Sequence, residues 1–525
     1  MYKILIADSL DPAGLEVLRA SGAEVTELAA EDRPRLPELL PEYDALVVRS
    51  STRVTAELLA AGARLKVVGR AGIGVDNVDV AAATERGVLV VNAPTANLIS
   101  ATEHTFALLL ALARRVPAAN AAMKQEVWDR KSFVGQELQQ KTLGVIGFGR
   151  IGQQVAARAR AFEMQVVAHD PYLDPAVARR LDVEPLSLEE LLARADVVTL
   201  HVPLTDETRG LLGAAELARM RPGVLLVNCA RGGVVDEAAL LAALDSGGVA
   251  GAAVDVFAEE PPRDWALVHH PGVIATPHIG AQTVEAQERI ALETARMVLA
   301  ALQGSLAISA VNLPFRPAGT RGEPFLQLGE RLGRLASGLV EGSLNRVQVD
   351  LWGVEEALEA PVAVAVLRGA LSCFLGEAVN YVNAETLAAA RGIQVVRATH
   401  AAEGDYPHLV GVSLSGPEGS AELAGTFFAD GDPRVVRLAG FRLEFRPKGR
   451  LLVLTNRDVP GVVGKLGTLL GEAGVNIAEI HLARRRAGRD GAMAVVRIDQ
   501  EPPPGMVQRI AELPEVQSAR LVDAG

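Results

Sequence analysis

A chain of 525 residues is too long for one hydrophobic core and predicts three or four domains. Its 49% apolar and 22% charged residues exclude a disordered or fibrous protein and suit packed globular domains. Its 52 basic against 64 acidic residues leave a net charge of −12, which argues against nucleic acid or an anionic membrane as the main partner.

The chain opens on MYKILIADSL, with no basic leader and no cleavage site before a strand-like segment. KILIA, ALVV, LKVVGR and VLVVN then read as buried strands, with GLEVLRASG and TAELLAAG as helices between them. This is the rhythm of a parallel sheet covered on both faces. SATE, Ser100 to Glu103, fits a capping box ahead of a long apolar helix that stops before Pro117. The apolar run inside it, Phe106 to Ala113, is far below the roughly 20 residues of a bilayer span. A cytoplasmic location without membrane attachment is expected.

A second βαβ series runs from LGVIGFGRIG to TPHIGA, followed by a helix, Val284 to Gln303, and the weak linker LAISAVNLPFRPAGTRGEP. One α/β domain (98–281) is thus expected inside another (1–97 and 282–316). Residues 317–447 mix strands (RVQVDLWG, IQVVRATH, HLVGVSLSG) with the helical ETLAAARG and hold no catalytic constellation. Residues 448–525 read strand, helix, strand, strand, helix, strand, a ferredoxin-like α+β unit. Two cysteines, Cys229 and Cys373, make no disulfide framework or cysteine metal cluster, and no metal site is expected.

The chemistry concentrates in the second series. GFGRIG follows a strand and opens a helix. Gly147 permits the tight turn, Gly149 lets a pyrophosphate approach the backbone, and Gly152 allows close helix–strand packing. The next strand, QVVAHD, ends at Asp170, 18 residues past Gly152, where a carboxylate suits ribose hydroxyls and repels a 2′-phosphate. The pair predicts NAD rather than NADP. Arg231 in NCARGGVVDE, Glu260 in DVFAEEPP and His278 in TPHIGA each follow a strand of this series, where doubly wound sheets bind ligands. A guanidinium clamps a carboxylate with two hydrogen bonds. An imidazole can take the proton of a hydroxyl while a neighbouring carboxylate orients its ring. Arg49 and Arg70 end strands of the first series and suit a substrate with phosphate at one end and carboxylate at the other. Near the C-terminus, Pro460 and Gly461 in NRDVPGVVGKLG open a helix whose free amides can bind a carboxylate.

NAPTANLISATEHTFALLLALAR, GFGRIG, NCARGGVVDEAAL, DVFAEEPP and TPHIGAQT together closely resemble the D-isomer-specific 2-hydroxyacid dehydrogenases. The resemblance implies two Rossmann-like or flavodoxin-like domains and a catalytic set of Arg231, Glu260 and His278. It implies NAD contacts from Gly147, Gly149, Arg150, Ile151, Gly152, Asp170, Val202, Cys229, Ala230, Arg231, Asp255, His278, Gly280 and Ala281, with Ile73 near the nicotinamide. VRSSTRVT and GRAGIGVDNVD match the substrate-side loops and imply contacts from Arg49, Ser50, Arg70, Gly72 and Asn97. The remaining chain resembles the long members, with an intervening domain and a terminal ACT domain, which act on D-3-phosphoglycerate at the start of L-serine synthesis. That likeness implies a homo-oligomer, dimer or tetramer, and an L-serine site at Asn456, Asp458 and Asn476. Two other readings are a glyoxylate or hydroxypyruvate reductase and an NAD-sensing binding protein. The intact Arg–Glu–His set disfavours the last.

Overall fold

The structure, a computed structural model, describes residues 1–305, 310–316, 319–402, 404–428, 431–484 and 491–525. Its first sheet has five parallel strands, from Lys3–Ile6 to Leu89–Asn92, in the chain-number order 2-1-3-4-5. That is the flavodoxin-like order. The strands are short, and all but the edge strand Glu24–Glu27 are largely apolar; all four residues of Ala45–Val48 are buried. Helix Val284–Leu302 returns to this sheet from much later in the chain. Its Ile290, Ala291, Ala295 and Val298 share one core with Ile4, Val47 and Val67.

The stretch expected to be a loose linker is partly structural. Ala310 bridges to Val91 of the last strand. Asn312 is buried, accepts the Val90 N–H at 2.8 Å and donates to the Val88 carbonyl at 2.9 Å. A polar side chain that satisfies edge-strand groups is invisible to hydrophobic periodicity. Residues 306–309 and 317–318 of that stretch lie outside the described residues.

The second sheet has seven parallel strands, from Thr142–Ile146 to Val273–Ala275, in the order 7-6-5-4-1-2-3. This is the dinucleotide-binding order with one strand added at an edge. Its order reverses between Thr142–Ile146 and Val197–Leu200, where such sheets open a ligand crevice.

The helix crossing between the two sheets differs from expectation at its start. It spans Leu98–Ala113 with Asn97 at its N-cap, so Ser100 is not a cap. Ser100 is buried in the first turn and its hydroxyl donates to the Gly280 carbonyl at 2.7 Å. A tertiary contact took the hydroxyl that the sequence pattern offers to a cap. Arg115 then adopts a left-handed φ of 52°, and a second helix, Val116–Lys124, leaves at a 64° bend with Pro117 in its first turn.

In the third region, helices Gly319–Leu339 and Glu359–Leu375 pack on a six-stranded sheet of order 2-1-3-4-5-6, parallel only in its first pair. The two helices cross closely; a Cβ on Gly369 would sit 1.9 Å from the Glu330 carbonyl oxygen. Glu356–Ala378 is the one described helical stretch long and apolar enough to cross a membrane by length and composition. Val362 to Leu367 are all fully buried in the core, so this apolarity is that of a central core helix.

The last sheet has four antiparallel strands, Arg450–Asn456, Ile477–Arg484, Ala492–Ile498 and Val516–Asp523, in the order 2-3-1-4. Helices Val462–Glu472 and Met506–Ala511 cover one face through Leu466, Leu470 and Ile510. The other face is not free. Leu451, Val453, Val495 and Val522 belong to the same core cluster as Leu332, Val366 and Phe445 of the third region. The third region also touches the first sheet's unit, where the Asn380 amide donates to the Gly87 carbonyl at 2.7 Å.

Candidate active site

The glycine-rich turn has the geometry of a pyrophosphate cradle. Gly147 carries a left-handed φ of 89°, and a Cβ there would lie 2.7 Å from the His201 carbonyl oxygen. A Cβ on Gly152 would lie 2.3 Å from the Gly147 carbonyl oxygen, so helix and turn touch through hydrogen alone. At Gly149 a Cβ would meet nothing within 4 Å. Gly149 is also the N-cap of helix Arg150–Ala161, with no side chain on the first amides. Open space in front of uncapped amides is what a pyrophosphate requires.

Strand Gln165–His169 stops one residue earlier than expected, which places Asp170 just beyond it. Its carboxylate accepts the Phe148 and Tyr172 N–H groups, each at 2.8 Å. Asp170 thus holds the glycine-rich turn through the Phe148 amide. Arg150 is exposed and reaches across to the Pro94 carbonyl at 3.5 Å. Ile151, Val202 and Cys229 are half-buried apolar neighbours of the core, and Ala230 is buried. Burial pushes the Cys229 thiol up to about 12, with Asp255 adding to the effect, so it stays neutral.

The three expected catalytic residues stand on loops after three adjacent strands, Val224–Asn228, Val249–Val254 and Val273–Ala275. Glu260 Oε2 lies 2.7 Å from His278 Nδ1, and its other oxygen accepts the Phe257 N–H at 3.1 Å. This carboxylate fixes the ring and leaves the far nitrogen, Nε2, to the site. Phe257, Pro262, Trp265 and Pro277 join this pair in lining a pocket of about 460 Å³. Arg231 is about a quarter exposed; its Nε donates to Asp76 at 3.1 Å and its Nη1 to the Ala230 carbonyl at 2.7 Å. Asp76 belongs to the loop after the fourth strand of the first sheet, so this ion pair closes the gap between the two units.

Asp255 is almost wholly buried. It accepts the Ile279 and Gly280 N–H groups, each at 2.9 Å, and the Thr276 hydroxyl at 2.6 Å. Burial works against its charge, but hydrogen bonds led by His104 and Thr276 outweigh it and hold the carboxyl below the usual range.

Residues 106–280 match the NAD-binding domain of the D-isomer specific 2-hydroxyacid dehydrogenases. The D-3-phosphoglycerate dehydrogenase of Mycobacterium tuberculosis is 44% identical over 99% of this chain and 99% of its own. This chain belongs to the D-isomer specific 2-hydroxyacid dehydrogenase family. The enzyme of that name from Bacillus subtilis is 40% identical over the full length of both chains. Residues 322–439 match the D-3-phosphoglycerate dehydrogenase intervening domain, and 450–515 match the ACT domain. Among solved structures, a glyoxylate reductase from Paecilomyes thermophila is 31% identical with a TM-score of 0.55, covering 59% of this chain and 98% of its own. A D-lactate dehydrogenase from Aquifex aeolicus, solved with NAD and lactic acid, is 30% identical with a TM-score of 0.53, covering 58% and 96%. Both likenesses span only part of this chain. As a family member it is an NAD-dependent dehydrogenase.

The arginines expected to meet substrate, Arg49, Arg70 and Arg231, lie within electrostatic reach of one another. Burial and the nearby Arg231 and Arg49 guanidiniums pull Arg70 down to about 10, while Asp76 and Asp8 act the other way. It remains charged at neutral pH. Asp8 is buried and holds the Arg49 loop, accepting from the Arg49 N–H at 2.7 Å and the Thr52 hydroxyl at 2.9 Å. Asn77 donates to the Arg49 and Thr52 carbonyls, each at 2.6 Å. Ser50 is exposed beside Arg49. Gly72 crosses the Arg70 guanidinium so closely that a Cβ would overlap Nη1. Ile73 is half-buried and accepts the Asn92 amide on its carbonyl. Asn97 Oδ1 is buried without a partner among the described residues, an acceptor left for a ligand or water. Gly280 and Ala281 form the turn after His278; their carbonyls accept from Ser100 and Gln287.

Asp8, Asp76, Asn77 and His104 escaped the sequence reading. Asp76 and Asn77 sit inside the quoted GRAGIGVDNVD, but their value lies in partners far along the chain. His201, next to the glycine-rich turn, is marked by no sequence pattern either; burial pushes its imidazole down to about 4 and keeps it neutral.

The expected effector residues do not form one cluster within a chain. Asn456 and Asp458 line a pocket of about 240 Å³ with Pro460, Gly461, Leu482 and Arg484, and Asp458 pairs with Arg484 at 3.2 Å. Asn456 itself is buried and donates to the Arg457 carbonyl at 2.7 Å. Asn476 lies at the other end of the sheet, bonded to Asp499 at 2.6 Å and to Gln500 at 2.7 Å. The register explains the separation: Asn456 pairs with Ala492, whereas Ile477 pairs with Ile498.

Proposed function

We propose that this enzyme oxidises D-3-phosphoglycerate to 3-phosphohydroxypyruvate, opening L-serine synthesis, and that L-serine feeds back on it. What supports this reading is that Arg49, Arg70 and Arg231 lie within electrostatic reach of one another, and that Arg231 follows a strand next to those that carry Glu260 and His278. Lactate and glyoxylate bear one anionic group, which a single guanidinium satisfies. A substrate with phosphate and carboxylate ends needs more cationic donors. Asp8 and Asp76 offset part of this charge, but Arg33 beside Asp8 adds a fourth guanidinium, so four cations face two carboxylates.

In this scheme Arg231 clamps the carboxylate, and Arg49 and Arg70 draw the phosphate. His278 Nε2 takes the hydroxyl proton, and Glu260 on Nδ1 orients the ring and stabilises its charged form. In reduction the same ring returns the proton. NAD, when bound, accepts the hydrogen and electron pair leaving carbon 2. Gly147, Gly149 and Gly152 with the Arg150–Ala161 helix would hold its pyrophosphate, and Asp170 its ribose.

We assign four domains with the bounds 1–97 plus 282–316, 98–281, 317–447 and 448–525. We place the enzyme in the cytoplasm as a homo-oligomer. Serine is taken to lie between two copies, with Asn456 and Asp458 from one chain and Asn476 from the next, because no single chain brings the three together. The test is NADH formation with D-3-phosphoglycerate, against D-lactate, and NADH consumption with glyoxylate and hydroxypyruvate. A preference for any of the last three over the phosphorylated substrate would overturn the reading.

A further inference from the structure

His278 sits in a backbone conformation that L-residues avoid. Its φ is 53°, in the left-handed region, which only a few per cent of non-glycine residues adopt, histidine more readily than most. Such a residue persists only where its surroundings over-determine it. Here the constraint comes from the loop's own amides: Ile279 and Gly280, the two residues after His278, both donate to the buried Asp255 carboxylate at 2.9 Å. The His278 N–H closes back on the Thr276 carbonyl at 3.0 Å. Asp255 therefore sets the loop, and its own orientation depends on what else holds Oδ1, the oxygen that takes the Ile279 N–H. That oxygen meets the Thr276 hydroxyl at 2.6 Å and His104 Nε2 at 3.2 Å, and His104 Nε2 lies 3.2 Å from the same hydroxyl.

His104 does not come from the catalytic loops. It lies on helix Leu98–Ala113, the element that carries the chain from the first sheet's unit into the second. One turn earlier on that helix, Ser100 bonds the Gly280 carbonyl at 2.7 Å. The crossing helix thus grips both sides of the His278 loop, and both contacts are buried or nearly so.

We infer that His104, seconded by Ser100, is a positioning residue that holds the Thr276–Gly280 loop and so aims His278 at the substrate hydroxyl. It acts through Asp255 and Thr276 and touches neither substrate nor cofactor. The inference rests on His278 being the base of the proposed reaction.

The test is a cycle of His104→Leu and His278→Ala, singly and together, with His104→Gln as the conservative variant. Leu removes the ring nitrogen and keeps an apolar filler, and Gln restores an N–H toward Asp255. His104→Leu should lower kcat about tenfold through loss of alignment, with the KM for substrate within about twofold of wild type. His104→Gln should recover most of that loss. In the His278→Ala background, His104→Leu should change the residual rate by less than about twofold, since there is no base left to aim. Wild-type kcat in His104→Leu beside a crippled His278→Ala would overturn this inference alone. The same tenfold loss in both backgrounds would also overturn it, marking a general packing role. Wild-type turnover in His278→Ala would instead remove the base, and the proposed mechanism with it.

Discussion

Replacing Arg231 by lysine separates charge from geometry. The guanidinium already spends Nε on Asp76 at 3.1 Å and Nη1 on the Ala230 carbonyl at 2.7 Å. Its position is fixed by those two bonds, so the remaining N–H groups are presented in a set direction. A lysine ammonium keeps the charge but cannot serve both anchors and also offer two parallel donors to a carboxylate. Hydrogen bonds to charged groups contribute about 1.5–3 kcal/mol each, so losing one prong costs about ten- to a hundredfold in kcat/KM. Loss of the Asp76 bond adds to this, since it also joins the loops of the two units. The glycine-rich turn and Asp170 lie on other strands of the sheet and are untouched. NAD affinity should therefore stay within about threefold while kcat/KM for D-3-phosphoglycerate collapses. Steady-state NADH absorbance and NAD titration by fluorescence measure the two separately. A variant with kcat/KM within about twofold of wild type would refute the planar clamp.

His278→Ala should lower turnover by at least about two orders of magnitude and remove the neutral-range limb of the pH profile; an unchanged profile would mean another base operates. Asp170→Ala should narrow the preference for NAD over NADP by removing charge repulsion. It should also weaken both cofactors, because the Phe148 N–H loses its acceptor. Unchanged NAD affinity would contradict that second role. Asp255 is held below the usual carboxylate range, so its stabilisation is full at neutral pH and is lost as pH falls below about 4 through the lowered value. Asp255→Asn should therefore melt lower at pH 7 and lose less on acidification; parallel melting curves would refute this. Asp458→Ala and Asn476→Ala should each abolish L-serine inhibition, yet a mixed oligomer of the two should regain part of it, because one interface then holds both wild-type residues. Mixed oligomers as insensitive as the parents would disprove a shared site. These point changes test more cleanly than removing residues 448–525, which would strip Leu451, Val453, Val495 and Val522 from a core shared with the third region.

What the sequence by itself determined was local. Buried β-branched runs such as ALVV and GVLLVN made parallel strands, because a strand covered on both faces must be continuously apolar. GFGRIG marked its turn because only glycine tolerates a φ of 89° at Gly147 and the contact at Gly152. Glu260 and His278 were legible because each lies on the loop after a strand of one sheet, and those two strands are adjacent, which lets the loops meet in a 2.7 Å bond. The tertiary structure decided what depends on distant partners. Ser100 looked like a helix cap until Gly280, 180 residues away, claimed its hydroxyl. Asn312 looked like linker until its amide was seen to satisfy Val88 and Val90. Asp76 became the partner of Arg231, and His104 the partner of Asp255, only when the two units met. Periodicity reports which face of an element is apolar, but a polar side chain's partner is set by how separate elements dock, and no spacing along the chain encodes that.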